Sequence, residues 1–272
     1  MNTTTFRRLL TSIALVAFTA SPTLAGEMTW AELKPTVYGE RQIASDDAVV
    51  KLETPYRASD DRQVPISVQA KLPGGASVKA VTIIIDENPM PVSLKIEPAQ
   101  KRSDLWVSAN MRFDGPSPVR AVVEADDGKL YMSEAYVKTL GLGACASPPV
   151  TSMEEAIATL GNMTLTPAPA PLAVTSLAAQ HHRARLDIRH PNLTGLQMDQ
   201  ITLQYILPRY VEKIELVQGA QALARVEAGI SLAENPSIAF DYIANGAAEL
   251  TVTAKDTDDT VFTHKLPLNP GS

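Results

Sequence analysis

Twice along this chain, short runs of alternating apolar and polar residues sit between turn signals. That rhythm constrains the fold more than any other feature. A period of two puts one set of side chains on a single face of an extended strand. In the first block Val64 to Gln69 alternates, with Val64, Ile66 and Val68 on one face. Val78 to Ile85 is a β-branched run long enough for a buried strand, and Leu105 to Met111 alternates again. Val119 to Glu124, Asp126-Asp127-Gly128 and Leu130 to Val137 then read as a hairpin with an Asp-Gly turn. The second block repeats the style through Ala184 to Ile188, Ile201 to Ile206, Val211 to Val217, Ala222 to Val226, Ile238 to Ile243 and Leu250 to Ala254. The last run leads through Asp256 to Asp259 into Val261 to Leu266, a second closing hairpin. Strands this short, at this spacing, predict an all-β protein of two similar β-sandwiches. Both blocks also carry Glu-Asn-Pro, at 87–89 and 234–236, a match too short to argue from alone.

Composition narrows the function. The chain is 45% hydrophobic, enough for real cores, and 20 prolines against five phenylalanines and two tryptophans suit a turn-rich β protein. A net charge of −6 argues against nucleic-acid binding, which needs a basic surface. One cysteine excludes an intramolecular disulfide and every multi-cysteine metal site within the chain.

The amino terminus reads as an address. Arg7-Arg8 leads into the apolar stretch Leu9 to Ala20, and Thr23 and Ala25 supply small residues at a cleavage site. This is the three-part pattern of a secretory signal peptide covering residues 1–25, with cleavage expected after Ala25 and periplasmic export. The apolar stretch is shorter than the roughly 20 residues a spanning helix needs, and no later stretch is long enough, so no membrane insertion is expected after cleavage.

The mature chain divides into a sandwich over 26–140, an arm and linker over 141–182, and a sandwich over 183–272. Within the linker, Ser152-Met153-Glu154-Glu155 has the spacing of a helix capping box, and Ala156 to Leu160 completes a short helix before Gly161. Thr166-Pro167-Ala168-Pro169-Ala170-Pro171 reads as an extended spacer.

Cys145 is the residue that carries chemistry. A lone cysteine is most often a small buried hydrophobe. Here Gly141-Leu142-Gly143-Ala144 precedes it and Ala146-Ser147-Pro148-Pro149 follows, so no large side chain anchors the segment. A mobile, exposed thiol is expected, with Gly141 and Gly143 giving the arm its freedom. An exposed thiol in an oxidising compartment is a liability unless it is used. No Lys, Arg or His lies within six residues of Cys145, so activation has to come from a partner. His181 and His182 would point to opposite faces of a strand, which disfavours a shared metal. The paired acids at 46–47, 60–61, 126–127 and 258–259 read as turns. No Gly-x-Ser-x-Gly, phosphate loop or dinucleotide fingerprint is present. No metal, no cofactor and no catalysis of its own are expected.

An exported sandwich ending in a small-residue arm with one cysteine, followed by a second sandwich, resembles the SoxY and SoxZ subunits of the sulfur-oxidation carrier joined in one chain. The fused branch known as the quinoprotein dehydrogenase-associated SoxYZ-like carrier is the most similar. In the first half the resemblance rests on 54–58 (Thr-Pro-Tyr-Arg-Ala), 84–91 (Ile-Ile-Asp-Glu-Asn-Pro-Met-Pro) and 127–131 (Asp-Gly-Lys-Leu-Tyr). In the second it rests on 189–199 (Arg-His-Pro-Asn-Leu-Thr-Gly-Leu-Gln-Met-Asp), 207–211 (Leu-Pro-Arg-Tyr-Val), Gly229-Ile230-Ser231, Asn235-Pro236 and Phe240. The resemblance implies immunoglobulin-like sandwiches packed together. It also implies that Cys145 carries small sulfur compounds, such as thiosulfate-derived intermediates, covalently between periplasmic sulfur-oxidation enzymes or a quinoprotein dehydrogenase system. The family arm is Gly-Gly-Cys-Gly-Gly at a free terminus; here only Gly143 is kept and Cys145 is internal. The alternative reading is a non-catalytic adaptor that binds a periplasmic quinoprotein dehydrogenase, with Cys145 incidental.

Overall fold

A computed structural model of the protein describes residues 25–141, 143–168 and 181–268. Residues 1–24, 142, 169–180 and 269–272, and with them most of the expected signal peptide and the second half of the expected 166–171 spacer, lie outside the described residues.

The chain opens with α1 (Ala25–Tyr38) and continues through β1 (Ile43–Ser45), β2 (Val50–Glu53), β3 (Val64–Lys71), β4 (Val78–Ile85), β5 (Val92–Pro98), β6 (Asp104–Met111), β7 (Ser117–Ala125) and β8 (Leu130–Val137). After the arm come α2 (Met153–Ala158), β9 (Met163–Pro167), β10 (His181–Ile188), β11 (Val211–Gln218), β12 (Gln221–Ala228), β13 (Ser237–Ile243), β14 (Glu249–Asp256) and β15 (Val261–Pro267). The architecture is all-β sandwich, as the alternation predicts. β3 buries Val64, Ile66, Val68 and Ala70 on one face, and the β7–β8 hairpin turns at Gly128 with φ +85°.

Each half is two-layered, but the layers do not stop at the boundary between halves. One sheet runs β1-β8-β7-β4-β5-β12-β11-β14-β15 and the other β2-β3-β6-β13-β10-β9. The seams are β5 against β12, pairing Leu94 with Ala228 through Pro98 with Ala224, and β6 against β13, pairing Val107 with Phe240 and Ala109 with Ile238. Edge strands that would otherwise offer unpaired N–H and C=O groups are thereby consumed. A single hydrophobic core follows, containing Ile83 and Val107 of the first half together with Ile214 and Phe240 of the second.

Helix α1 lies on the outer face of the larger sheet. Trp30, Leu33, Val37 and Tyr38 pack on Ile84, Val122, Leu130 and Met132. This second cover explains why β4 and β7 are buried along nearly their whole length rather than on alternate residues. Arg120 sits 4.6 Å above the Trp30 ring and pairs with the buried Asp86 at 2.9 Å.

Three local expectations change. β5 is not among the expected strands, although Ser93, Leu94 and Ile96 are buried in it. Met163–Pro167, inside the expected arm and linker and overlapping the start of the expected spacer, pairs with β10 instead. Ile201 to Ile206 is not a strand. Asp199 Oδ1 accepts the N–H groups of Ile201 (2.9 Å) and Thr202 (2.7 Å), and Leu203 takes φ +57°. The capped turn removes the donors a ladder needs and leaves its apolar side chains in solvent. The N-cap does form: Ser152 Oγ accepts from Glu155 N–H at 3.2 Å, and Gly161 ends the segment at φ +79°.

Candidate functional site

Cys145 lies where the two halves meet, and it is not exposed. Its relative exposure is 0%, so the expectation of an exposed thiol is overturned. Gly141 and Gly143 adopt φ +77° and +62°. The turn is closed by Ala146 N–H and Ser147 Oγ, which both donate to Gly143 O at 3.0 and 3.3 Å. This tight turn aims Ala144 and Cys145 inward. The small side chains that argued for mobility are the ones that fit the seat.

The first half supplies one wall. Ala144 N–H donates to Phe113 O at 3.2 Å, and Leu140 N–H donates to both oxygens of the buried Asp61 carboxylate. Asn88 accepts from Asp114 N–H at 2.9 Å and donates to Arg112 O and Ser231 Oγ, holding the loop that carries Arg112 and Asp114. The second half supplies the clamp. Thr194 Oγ1 donates to Cys145 O at 2.6 Å, and Gln197 Nε2 donates to Ser147 O at 3.1 Å. Glu234 accepts Val150 N–H and Thr151 N–H at 2.8 Å each. Both Glu-Asn-Pro tripeptides thus brace the arm, which assigns them a role that their sequence alone left open.

The Arg112 guanidinium crosses the seam. Its Nη1 donates to the carbonyls of Asn192 (2.7 Å), Ile230 (3.2 Å) and Leu232 (3.3 Å), and among the described residues it has no ion pair. Among the described residues it is the cation whose charge acts on the sulfur. Burial dominates nonetheless, and with the Asp114 carboxylate, which also accepts the thiol hydrogen bond, it pushes the Cys145 thiol up to about 12 against the pull of Arg112. Docked, the sulfur is a protonated thiol shielded from oxidants and from electrophiles.

The histidines separate. His190 is buried. Its Nδ1 accepts Asn192 N–H at 3.0 Å and its Nε2 faces Asp256 at 3.4 Å, an arrangement that orients the clamp segment. His181 lies near Asp104 at 3.8 Å, whereas His182 stacks on Tyr242. Asp104, His181 and Asp241 do cluster, yet Arg102 already pairs with Asp241 at 2.6 Å. Sequence reasoning passed over Arg112 and Asp114, because the seam that brings them to Cys145 is not a local feature, and it marked Asn88 only as part of a repeated tripeptide. Thr194 and Gln197 lie within one of the motifs singled out above, but nothing local reveals what they hold.

Residues 34–145 match the family model of the sulfur oxidation protein SoxY, and residues 174–267 match that of the sulphur oxidation protein SoxZ. The chain belongs to the SoxY and SoxZ families, joined in one polypeptide. The SoxY match runs as far as Cys145. Among solved structures, the sulfur carrier protein SoxY from Chlorobium limicola f thiosulfatophilum shares 22% identity, covering 42% of this chain and 93% of that one at a TM-score of 0.35. A superoxide reductase (neelaredoxin) from Ignicoccus hospitalis shares 16%, covering 37% and 94% at a TM-score of 0.29. No curated protein matches. The SoxY half therefore brings the cysteine, and the SoxZ half brings the clamp that seats it.

Proposed function

We propose that the protein is an exported carrier that holds sulfur intermediates covalently on Cys145 for periplasmic sulfur-oxidation enzymes. The observation that carries this reading is the seat itself: the arm that carries the cysteine at which the SoxY match ends is clamped across the seam by two side-chain hydrogen bonds, from Thr194 to Cys145 O and from Gln197 to Ser147 O. Such contacts release individually at about 0.5–1.5 kcal/mol each, unlike a side chain locked in an apolar core. Joining the thiol to a cargo sulfur removes two electrons and a proton from the reactants, and the loading enzyme has to accept them. The arm therefore undocks into a partner, is loaded there, and delivers its adduct to a second partner by thiol–disulfide-type exchange. The signal segment supports periplasmic placement. A quinoprotein dehydrogenase system is the alternative source of partners.

Burial of the sulfur favours a second reading, in which Cys145 only packs the seam and the chain is a non-catalytic adaptor for such a dehydrogenase. Intact-mass analysis of protein isolated from its producing cells separates the two. A carrier shows sulfur-containing additions that vanish on mild reduction and are missing from Cys145→Ser. Uniformly unmodified protein, together with a fully functional Cys145→Ser variant, replaces the carrier with the adaptor.

A further inference from the structure

Apolar side chains left in water concentrate beside the arm. Among the described residues, the six most exposed large hydrophobic side chains are Ile201 (92%), Leu207 (82%), Leu203, Tyr205, Val150 and Ile157. Four belong to the turn and tail that follow the clamp residues Thr194 and Gln197. The other two belong to the segment that runs from the arm into α2. The groups adjoin: Ile157 and Leu207 wall one groove of about 350 Å³ between α2 and the 206–209 segment. Scattered exposed hydrophobics are ordinary, but a contiguous set marks a contact surface. The turn is also built to hold its side chains outward, through the Asp199 cap and the left-handed Leu203.

Acids outnumber cations among the charges that line or flank the patch. Glu154 and Glu155 flank it on α2, Asp199 caps the turn, and Asp258 lines the groove. The neighbouring cation, Arg209, is already matched by Asp256 at 2.9 Å and Asp258 at 3.2 Å. A second copy would bring the same acids against each other, and an anionic membrane would repel them. Complementarity therefore selects a protein with an apolar depression framed by Lys and Arg.

We propose that this patch is the docking surface for the enzyme that loads Cys145, and that this enzyme presents a basic-rimmed apolar face to Ile201 and Leu207. The proposal rests on the carrier reading. It ties recognition to delivery, because Thr194 and Gln197 sit on the same segment the partner would grip. An enzyme seated on 198–207 is placed to draw both donors off the arm carbonyls.

The test uses the full chain in its producing cells. A photo-crosslinking residue is placed at Ile201 or Leu207, with Gln69 on the exposed face of β3 as the control. The expected result is one heterologous adduct from Ile201 and Leu207 and none from Gln69. That protein, once identified and purified, should bind the wild-type chain, with binding weakening at least fivefold between 0.05 and 0.5 M NaCl. The double variant Ile201→Asp, Leu207→Asp should bind at least thirtyfold more weakly and carry at least tenfold less sulfur adduct on Cys145. Both side chains are in solvent, so its melting temperature should match wild type. Crosslinks only to a second copy, equal crosslinking from Gln69, or binding to phosphatidylglycerol vesicles in place of a protein would overturn the proposal. Wild-type adduct levels in the double variant would remove the docking surface and leave the carrier standing. Heterologous binding lost in the double variant, with no adduct in wild type, would remove the carrier and with it the loading role, leaving only a partner surface.

Discussion

Replacing Thr194 with valine should make Cys145 react faster without unfolding the protein. The Thr194 hydroxyl donates to Cys145 O at 2.6 Å and accepts Leu196 N–H at 3.2 Å. Valine keeps the shape and removes both bonds. A lost hydrogen bond at a buried site costs about 1.5 kcal/mol, which raises the undocked population roughly tenfold. With a neutral alkylating reagent at low concentration, labelling samples that population, because redocking outpaces reaction. Thr194→Val should therefore be labelled about tenfold faster than wild type, and Gln197→Ala should also be faster. Acidity supplies an independent check. The docked thiol is held at about 12 against an ordinary 9.0, so docking is on the order of 4 kcal/mol more favourable with the thiol protonated than with it ionised. The group's value is raised in the docked state, so this contribution is fully present below pH 9 and is lost between pH 9 and 12. A free thiol levels off in rate near pH 9. Wild type should instead keep rising about tenfold per pH unit through that point, because deprotonation itself favours undocking. Wild-type labelling at the rate of an unstructured cysteine peptide, or identical rates in wild type and Thr194→Val, would refute the clamp.

Two further outcomes test the frame. Residues 26–168 and 181–268 expressed as separate pieces leave β5 and β6 unpaired in the first and β12 and β13 in the second, and also part β9 from β10. They should be poorly soluble alone and recover cooperative melting on mixing, whereas two stable and mutually indifferent pieces would contradict the shared sheets. Gly161→Ala puts a Cβ 2.0 Å from Phe262 Cδ1 at φ +79°, and should cost about 2–4 kcal/mol in denaturant unfolding from strain plus overpacking; a loss below 0.5 kcal/mol would mean that the α2–β9 connection is not held as described.

Much of this protein is local, and what is local was legible. The period-two alternation of β3 and the Asp-Gly hairpin of β7 and β8 follow from side-chain geometry and turn chemistry within a few residues. So does the Ser152 cap of α2. Cys145 stood out because it is the single cysteine and its neighbours are small. The same small neighbours misled on its environment, since small side chains are needed both for a loose arm and for a tight seat. Only the partner surface distinguishes these, and that surface is made of Phe113, Asp114, Thr194 and Gln197, brought together from segments up to 84 residues apart. Likewise the Ile201 to Ile206 run has a strand's composition, but Asp199 captures its N–H groups first. The largest tertiary decision is the pair of seams. Either half has edges that satisfy a strand pattern equally well in isolation. Burying those edges against each other merges two sandwiches into one core and creates the cleft in which the thiol is stored.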